Sequence, residues 1–466
     1  MTVLAQAQHS ATLTKALAIS SIACICAFAL ILGLLGVPLV PAALAALTAG
    51  LLWLAYRYPL SGMGTCLAFM PVYTLAYLLA RFFGPSYIGM LEGCDRVAIL
   101  LFVVILWKQN RVKLELPDWL LTSCFAIAAV HLIFAGSLIG LLTDFNFMIA
   151  YAAGRVTILD SEKERLWAKR AVWILAIIAV LGMLEVFWIG EGPRTMLYVS
   201  LGGAGTQNGA LDNAFHGTSY TGLRESATMF GPLQFAPLCM AALVIWWVYS
   251  RNPIPGAMIA AGLVCSVTRS AWLGTAVAMT VLAFLTDQTK RLLRCVALML
   301  ALFVAAIPIL GLSDYLTSIK SGEDPSAQGH SISLLEGLQF VAQHPIVGTG
   351  PATVGRWAVK GDTNALSIED TYLTIAAQYG IPALLCFLGF LGSALRMLWR
   401  ERTPRSYAAI GIITGFGTVM TFSALHDVFP LACWLWFPVG LAIRSVSEKT
   451  HPITVALETA KSEGMA

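Results

Sequence analysis

Apolar runs follow one another along almost the whole of this 466-residue chain, from about residue 16 to residue 444, with short polar breaks between most of them. A helix needs about 20 such residues to cross a hydrocarbon core about 30 Å thick, where each backbone N–H and C=O must find its partner within its own segment. Fourteen runs can be told apart by their breakers, so the expectation is an all-α, polytopic integral membrane bundle of about 12–14 transmembrane helices. Composition agrees: 58% of the residues are hydrophobic and 12% charged, with a mean hydropathy of +0.77, against roughly 25% charged in a soluble domain. That balance excludes a soluble enzyme, and a net charge of +4 is too small an excess to point to nucleic acid.

Two runs are marginal. Residues 145–160 carry Arg155 near the centre, and SVTRSAW interrupts the stretch 253–286 at Thr268-Arg269-Ser270, which reads as a broken helix. The N-terminal MTVLAQAQHSATLTK lacks a basic region and a small-residue cleavage site, so the first run is expected to be a retained helix. All ten cysteines lie in or beside apolar runs, without a C-x-x-C pair or a Cys/His metal spacing. They read as small buried hydrophobes, and neither a metal nor a cofactor is implied.

Of the 29 Lys and Arg, twenty fall in the segments on the side of the N-terminus, eight on the opposite side, and Arg155 within a run. Cationic loops stay cytoplasmic, so both termini are expected inside and the sparse side outside. Six regions follow: N-terminal transmembrane helices over 1–190, a first outer loop over 191–228, central transmembrane helices over 229–312, a large outer loop over 313–370, C-terminal transmembrane helices over 371–445, and a polar cytoplasmic tail over 446–466. The large loop contains SISLLEGLQFVAQHP, in which Ile332, Leu335, Leu338 and Val341 recur at helical spacing before Pro345. An amphipathic helix lying over the membrane face is expected there.

Ionisable residues in or beside apolar helices carry the chemistry, because each is costly unless paired or solvated. Arg224 in GLRESATMFGP and Arg269 in SVTRSAW fall on the same outer side, and Arg155 stands in AAGRVTI. Guanidinium forks match adjacent phosphate oxygens, so these three are candidates for holding a lipid pyrophosphate. The alternatives are an Arg224–Glu225 pair at the membrane border and a snorkelling Arg155. Glu369 and Asp370 open a long apolar helix, where Asp370 suits a cap and a carboxylate also suits removal of a proton from a hydroxyl. His330, His344 and His426 are further outer-face candidates. The glycine stretches 202–205 and 348–350 lack the Lys-Ser/Thr of a phosphate loop, and no D-x-D element is present, so a donor is expected to be lipid-linked rather than a nucleotide.

From Gly222 to Gly440 the chain resembles the O-antigen ligase and polymerase family of bacterial glycan assembly. The resemblance rests on LRESATMFGP, VTRSAWLG, QHPIVGTGP and EDTYLTIAAQYGIP in that order, separated by apolar helices. It implies a metal-independent, inverting membrane glycosyltransferase that moves a glycan from an undecaprenyl-pyrophosphate donor to an acceptor sugar hydroxyl at the periplasmic face of the bacterial inner membrane. In its terms Arg224 and Arg269 engage the pyrophosphate, the large loop covers the site and Glu369 acts as base. The partners implied are the lipid-linked oligosaccharide, the acceptor glycan, membrane lipids and other polysaccharide assembly proteins. Where the ligase branch typically shows His-Asn, this chain has Glu369-Asp370. That favours a polysaccharide polymerase over a ligase acting on lipid A core, and a lipid-linked glycan transporter or flippase is the non-enzyme alternative.

Overall fold

The computed structural model describes residues 57–72, 86–110, 112–134, 136–190, 231–310, 325–354 and 368–450, with the isolated positions 50, 53, 224, 225, 227, 229 and 317. The expected first helix, most of the loop 191–228, the start of the large loop and the tail beyond residue 450 lie outside the described residues. Every described element is helical, with no strand among them. The chain divides into two compact units, residues 1–66 with 75–109 and residues 67–74 with 110–466. In the first, Gly62 of α1 (Pro59–Phe69) lies against Phe102 of α2 (Ser86–Asn110), so closely that a Cβ at Gly62 would stand 2.4 Å from the ring.

The second unit holds α3 (Leu116–Ala129), α4 (Leu138–Asp144), α5 (Phe147–Val156), α6 (Ser161–Leu184), α7 (Pro232–Tyr249), α8 (Pro253–Cys265), α9 (Arg269–Thr286), α10 (Thr289–Leu310), α11 (Pro325–Gln343), α12 (Thr371–Trp399), α13 (Pro404–Met420) and α14 (Phe429–Thr450). Local chemistry sets many of their starts. Asp160, Asn252, Asp370 and Thr403 each accept a backbone N–H of the first turn, and Pro253 and Pro404 follow two of these caps, where a missing N–H costs nothing. Seven helices among the described residues are long and apolar enough to cross a bilayer, and α5 and α8 are shorter apolar ones. The marginal run 145–160 is thus the ten-residue α5, and the break expected at Thr268-Arg269-Ser270 lies between Cys265 and Arg269, where Val267 takes φ +48°.

Lipid tails are as apolar as Leu, so helices in a bilayer associate where small residues let backbones approach. Gly154 and Gly440 provide this between α5 and α14: a Cβ on Gly154 would stand 2.2 Å from the Phe437 carbonyl oxygen, and one on Gly440 2.1 Å from that of Tyr151. Gly274 and Gly415 do the same for α9 and α13, with a Cβ on Gly274 falling 2.6 Å from the Gly415 carbonyl oxygen. One end of this unit gathers Lys113, Arg251, Lys290, Arg400 and Lys449, and the other bears Arg224, Glu225, Gly231 and residues 325–354 and 368–370. These are called the basic end and the loop end below.

The amphipathic helix expected in the large loop is α11. It stops at Gln343, just before His344-Pro345, and buries Val341 against Val354, Ile368, Ala376 and Ala377. Its Ile332, Leu335 and Leu338 are exposed, the stripe assigned above to the membrane face.

Candidate functional site at the loop end

Arg224 is anchored at the break between α8 and α9, on the residues just before Arg269. The Arg224 guanidinium donates from Nε to the Ser266 carbonyl oxygen at 3.0 Å and from Nη2 to Thr268 Oγ1 at 3.0 Å. Thr268 is the N-cap of α9, but its hydroxyl is not used to cap; it lies 3.4 Å from the Pro232 carbonyl oxygen at the start of α7. Two helix N-termini therefore meet beside Arg224, and neither has an acidic residue in its first turn. Arg269 occupies the first turn of α9, where the helix dipole already concentrates positive charge and a cation is unfavourable. Two half-buried guanidinium groups and two such N-termini make a locus that an anion would stabilise.

Glu225 follows immediately and points the other way. Its side chain is fully buried, with both carboxyl oxygens lacking a hydrogen-bond partner among the described residues. Gly182 of α6 and Gly262 of α8 leave it room, since a Cβ on Gly182 would lie 2.3 Å from Oε1. Burial, and after it the nearby Glu185 carboxylate, push the Glu225 carboxyl well above the usual carboxylate range. An Arg224–Glu225 ion pair, one of the alternatives for Arg224, is replaced by Arg224's bonds to Ser266 and Thr268.

At the same end, Glu369 Oε2 lies 2.5 Å from His330 Nδ1 of α11, and its backbone N–H donates to Ser333 Oγ at 3.2 Å. Two of the sequence candidates thus form one pair, half-exposed to solvent. Asp370 is the N-cap of α12, accepting from the Leu373 N–H at 2.8 Å. Burial raises its carboxyl above the ordinary value of 3.8, against the lowering effect of the Leu373 and Tyr372 N–H groups. His344 is exposed beside Phe340, and the buried His426 ring stands edge-on to Phe147 with centroids 5.8 Å apart.

The segment His344–Pro351 is locked onto a kink in α12. Gly380 adopts φ +83°, open to glycine because its Cβ would lie 2.0 Å from the Ile346 carbonyl oxygen, and Pro382 follows. The loop replaces the broken helix bonds: Ile381 N–H donates to the Pro345 carbonyl at 2.8 Å, while Thr349 and Gly350 N–H groups reach the Ala377 and Gln378 carbonyls at 3.0 and 2.8 Å. His131 Nε2 holds the Val347 carbonyl oxygen at 2.7 Å. Two motifs far apart in sequence, QHPIVGTGP and AAQYGIP, therefore form one rigid piece behind Glu369 and Asp370.

Arg155 parts from the other two arginines. It lies at the basic end, 2% exposed, bonded to Asp118 by Nε at 2.9 Å and Nη2 at 2.7 Å, and to the Lys113 carbonyl oxygen at 2.7 Å. The expectation that it joins Arg224 and Arg269 is corrected by this geometry, because a buried carboxylate from α3 already occupies its fork. Asp118, His131 and the Tyr379–Asp144 pair, bonded at 2.5 Å, escaped the sequence reading, and so did the full burial of Glu225. Single polar residues in apolar runs flag cost without naming a partner.

The long apolar helices and the polar loop end define an all-α polytopic membrane protein. Residues 254–388, from α8 into α12, match the family model described as O-antigen ligase. The match covers less than a third of the chain; it makes this segment similar to the O-antigen ligase family and supports a membrane glycan ligase or polymerase type of activity. It includes Arg269, Glu369 and Asp370 and leaves Arg224 and Arg155 outside. No curated protein matches the chain.

Proposed function

We propose that the protein is a polysaccharide polymerase of the bacterial inner membrane, which transfers a glycan from an undecaprenyl-pyrophosphate donor to an acceptor sugar hydroxyl at a periplasmic loop end, with both termini in the cytoplasm. The observation that supports this reading is the anchoring of Arg224 on Ser266 and Thr268, immediately before Arg269 in the chain and beside two helix N-termini without an acidic first turn, at the end that also bears Glu369. In the reaction the acceptor oxygen bonds to the anomeric carbon as the bond from that carbon to the pyrophosphate breaks. The electron pair leaves with the pyrophosphate, whose growing charge the two guanidinium groups stabilise from fixed positions. Attack from the opposite face inverts the anomeric centre. Glu369 takes the hydroxyl proton, with His330 holding the carboxylate in place.

Arg224→Ala and Arg269→Ala test the reading. Each removes charge-assisted bonds, and with about 1.5–3 kcal/mol per bond product formation from purified lipid-linked donor should fall roughly ten- to a hundredfold at normal expression. Lysine should rescue poorly because a point charge cannot reproduce the fork. Full activity in both alanine variants would remove the clamp. A ligase reading differs only in the acceptor: product attached to lipid A core rather than chain extension would establish it.

A further inference from the structure

A second feature lies at the basic end, away from Arg224 and Glu369. A cavity of about 1740 Å³ opens there among α6, the α7–α8 turn, α10 and the starts of α13 and the end of α14. That exceeds the roughly 300–1,000 Å³ of an ordinary small-molecule site. Its walls are of two kinds. On one side they are apolar, with the buried Ala260 and Met279, the partly buried Met299, and the exposed Trp173 and Leu298. Toward the basic end they are cationic, and the cations fall into two groups.

Three of the cations are already engaged. Arg405 pairs with Glu164, Lys449 with Glu401, and Arg291 lies over Trp246 and Trp247, 4.7 and 4.6 Å from their ring centroids, while donating to the Trp247 and Ser250 carbonyl oxygens. The other four, Arg165, Lys169, Arg251 and Arg294, line the same cavity with no carboxylate partner among the described residues, and Glu162 is the one acid left to face them. Tryptophans at this level sit where amphipathic rings favour the membrane–water border.

A cavity with an apolar floor between membrane-spanning helices and a cationic mouth is unfavourable filled with water alone, and a soluble anion would neutralise the mouth while leaving the floor wet. One ligand satisfies both parts: a phosphate diester carrying hydrocarbon chains. We propose that this cavity binds an anionic phospholipid, with the headgroup phosphate held by Arg165, Lys169, Arg251 and Arg294 and an acyl chain against Met279, Leu298 and Met299. The site is independent of the transfer reaction proposed for the loop end.

The test uses the full-length protein in detergent. Retention of added phosphatidylglycerol is measured by native mass spectrometry and by the rise in unfolding temperature, with phosphatidylcholine and inorganic phosphate as comparison probes. Phosphatidylglycerol should be retained and stabilising, and the other two should not. The variant Arg165→Gln/Arg251→Gln/Arg294→Gln should weaken retention by about tenfold or more, as expected for lost charge-assisted bonds. Lys113→Gln/Lys163→Gln/Arg170→Gln, which removes the same charge from the same end outside the cavity, should retain the lipid. Ala257→Phe, which fills the cavity without altering charge, should lower retention and keeps the test decisive if the first variant does not fold. Equal loss in both triple variants would reduce the effect to a diffuse surface field. Equal retention in wild type, the cavity triple variant and Ala257→Phe, or equal binding of inorganic phosphate, would overturn the proposal.

Discussion

Asp118→Asn is expected to destabilise the second unit by about 3–5 kcal/mol, the range for removing one partner of a buried ion pair. The Asp118 carboxylate accepts four bonds: Arg155 Nε at 2.9 Å and Nη2 at 2.7 Å, Tyr151 Oη at 2.7 Å and the Glu115 N–H at 2.7 Å. Asparagine preserves the volume but turns one acceptor into a donor facing other donors. It also leaves a guanidinium charge that is 2% exposed without a counter-ion. Removing both charges, as Asp118→Leu/Arg155→Met, avoids the stranded cation and leaves Tyr151, Glu115 and Lys113 each short of a bond, at about 1 kcal/mol apiece. The double variant should therefore be as stable as Asp118→Asn or more stable, with the cycle showing strong coupling. Denaturant unfolding in detergent gives the stabilities, and turnover per folded molecule should stay near wild type in both variants. Wild-type stability in Asp118→Asn, or a double-variant loss equal to the sum of the singles, would refute the ion-pair argument. A selective loss of turnover with stability intact would return Arg155 to the reaction.

Glu369→Gln should lower turnover about a hundredfold while donor binding persists; His330→Ala should lower it less, and wild-type turnover in Glu369→Gln would move proton removal elsewhere. Asp370→Asn should be mild, because Asn caps a helix nearly as well as Asp. The Asp370 carboxyl has its pKa raised by burial above 3.8, so its contribution to stability is fullest below that value and is lost as pH rises through the raised pKa. Asp370→Asn should remove that loss, giving equal or greater stability than wild type at neutral pH, measurable as unfolding temperature against pH. Gly380→Ala forces a side chain onto φ +83° and toward the Ile346 carbonyl oxygen. A cost of about 1–3 kcal/mol is expected, with faster proteolysis of the 344–351 loop; unchanged protection would mean that the kink and loop are not coupled.

Much of the architecture follows from composition and spacing, because a bilayer admits so few solutions. Apolar runs of helical length, a break near Thr268, the weakness of the run that holds α5 and the end of α11 before Pro345 are local consequences of hydropathy, proline and helix capping, and each is readable in the chain. The O-antigen ligase resemblance was legible for the same reason: its motifs are short and keep their order between helices. Partnership was not legible. Whether Arg155 met a pyrophosphate or a carboxylate depended on Asp118, a single residue 37 positions away whose burial only the packing of α3 against α5 creates. Likewise Glu369 found His330 and the loop 345–350 found the Gly380 kink across about 30 to 40 residues, and the basic-end cavity is walled by helices drawn from Ser161 to Lys449. The sequence by itself determined which segments are long and apolar enough to cross a bilayer, which is a matter of local apolarity. Only the tertiary structure decided which buried charges answer one another, because the energy of a charge in low dielectric is set by whatever group stands within a few ångströms of it.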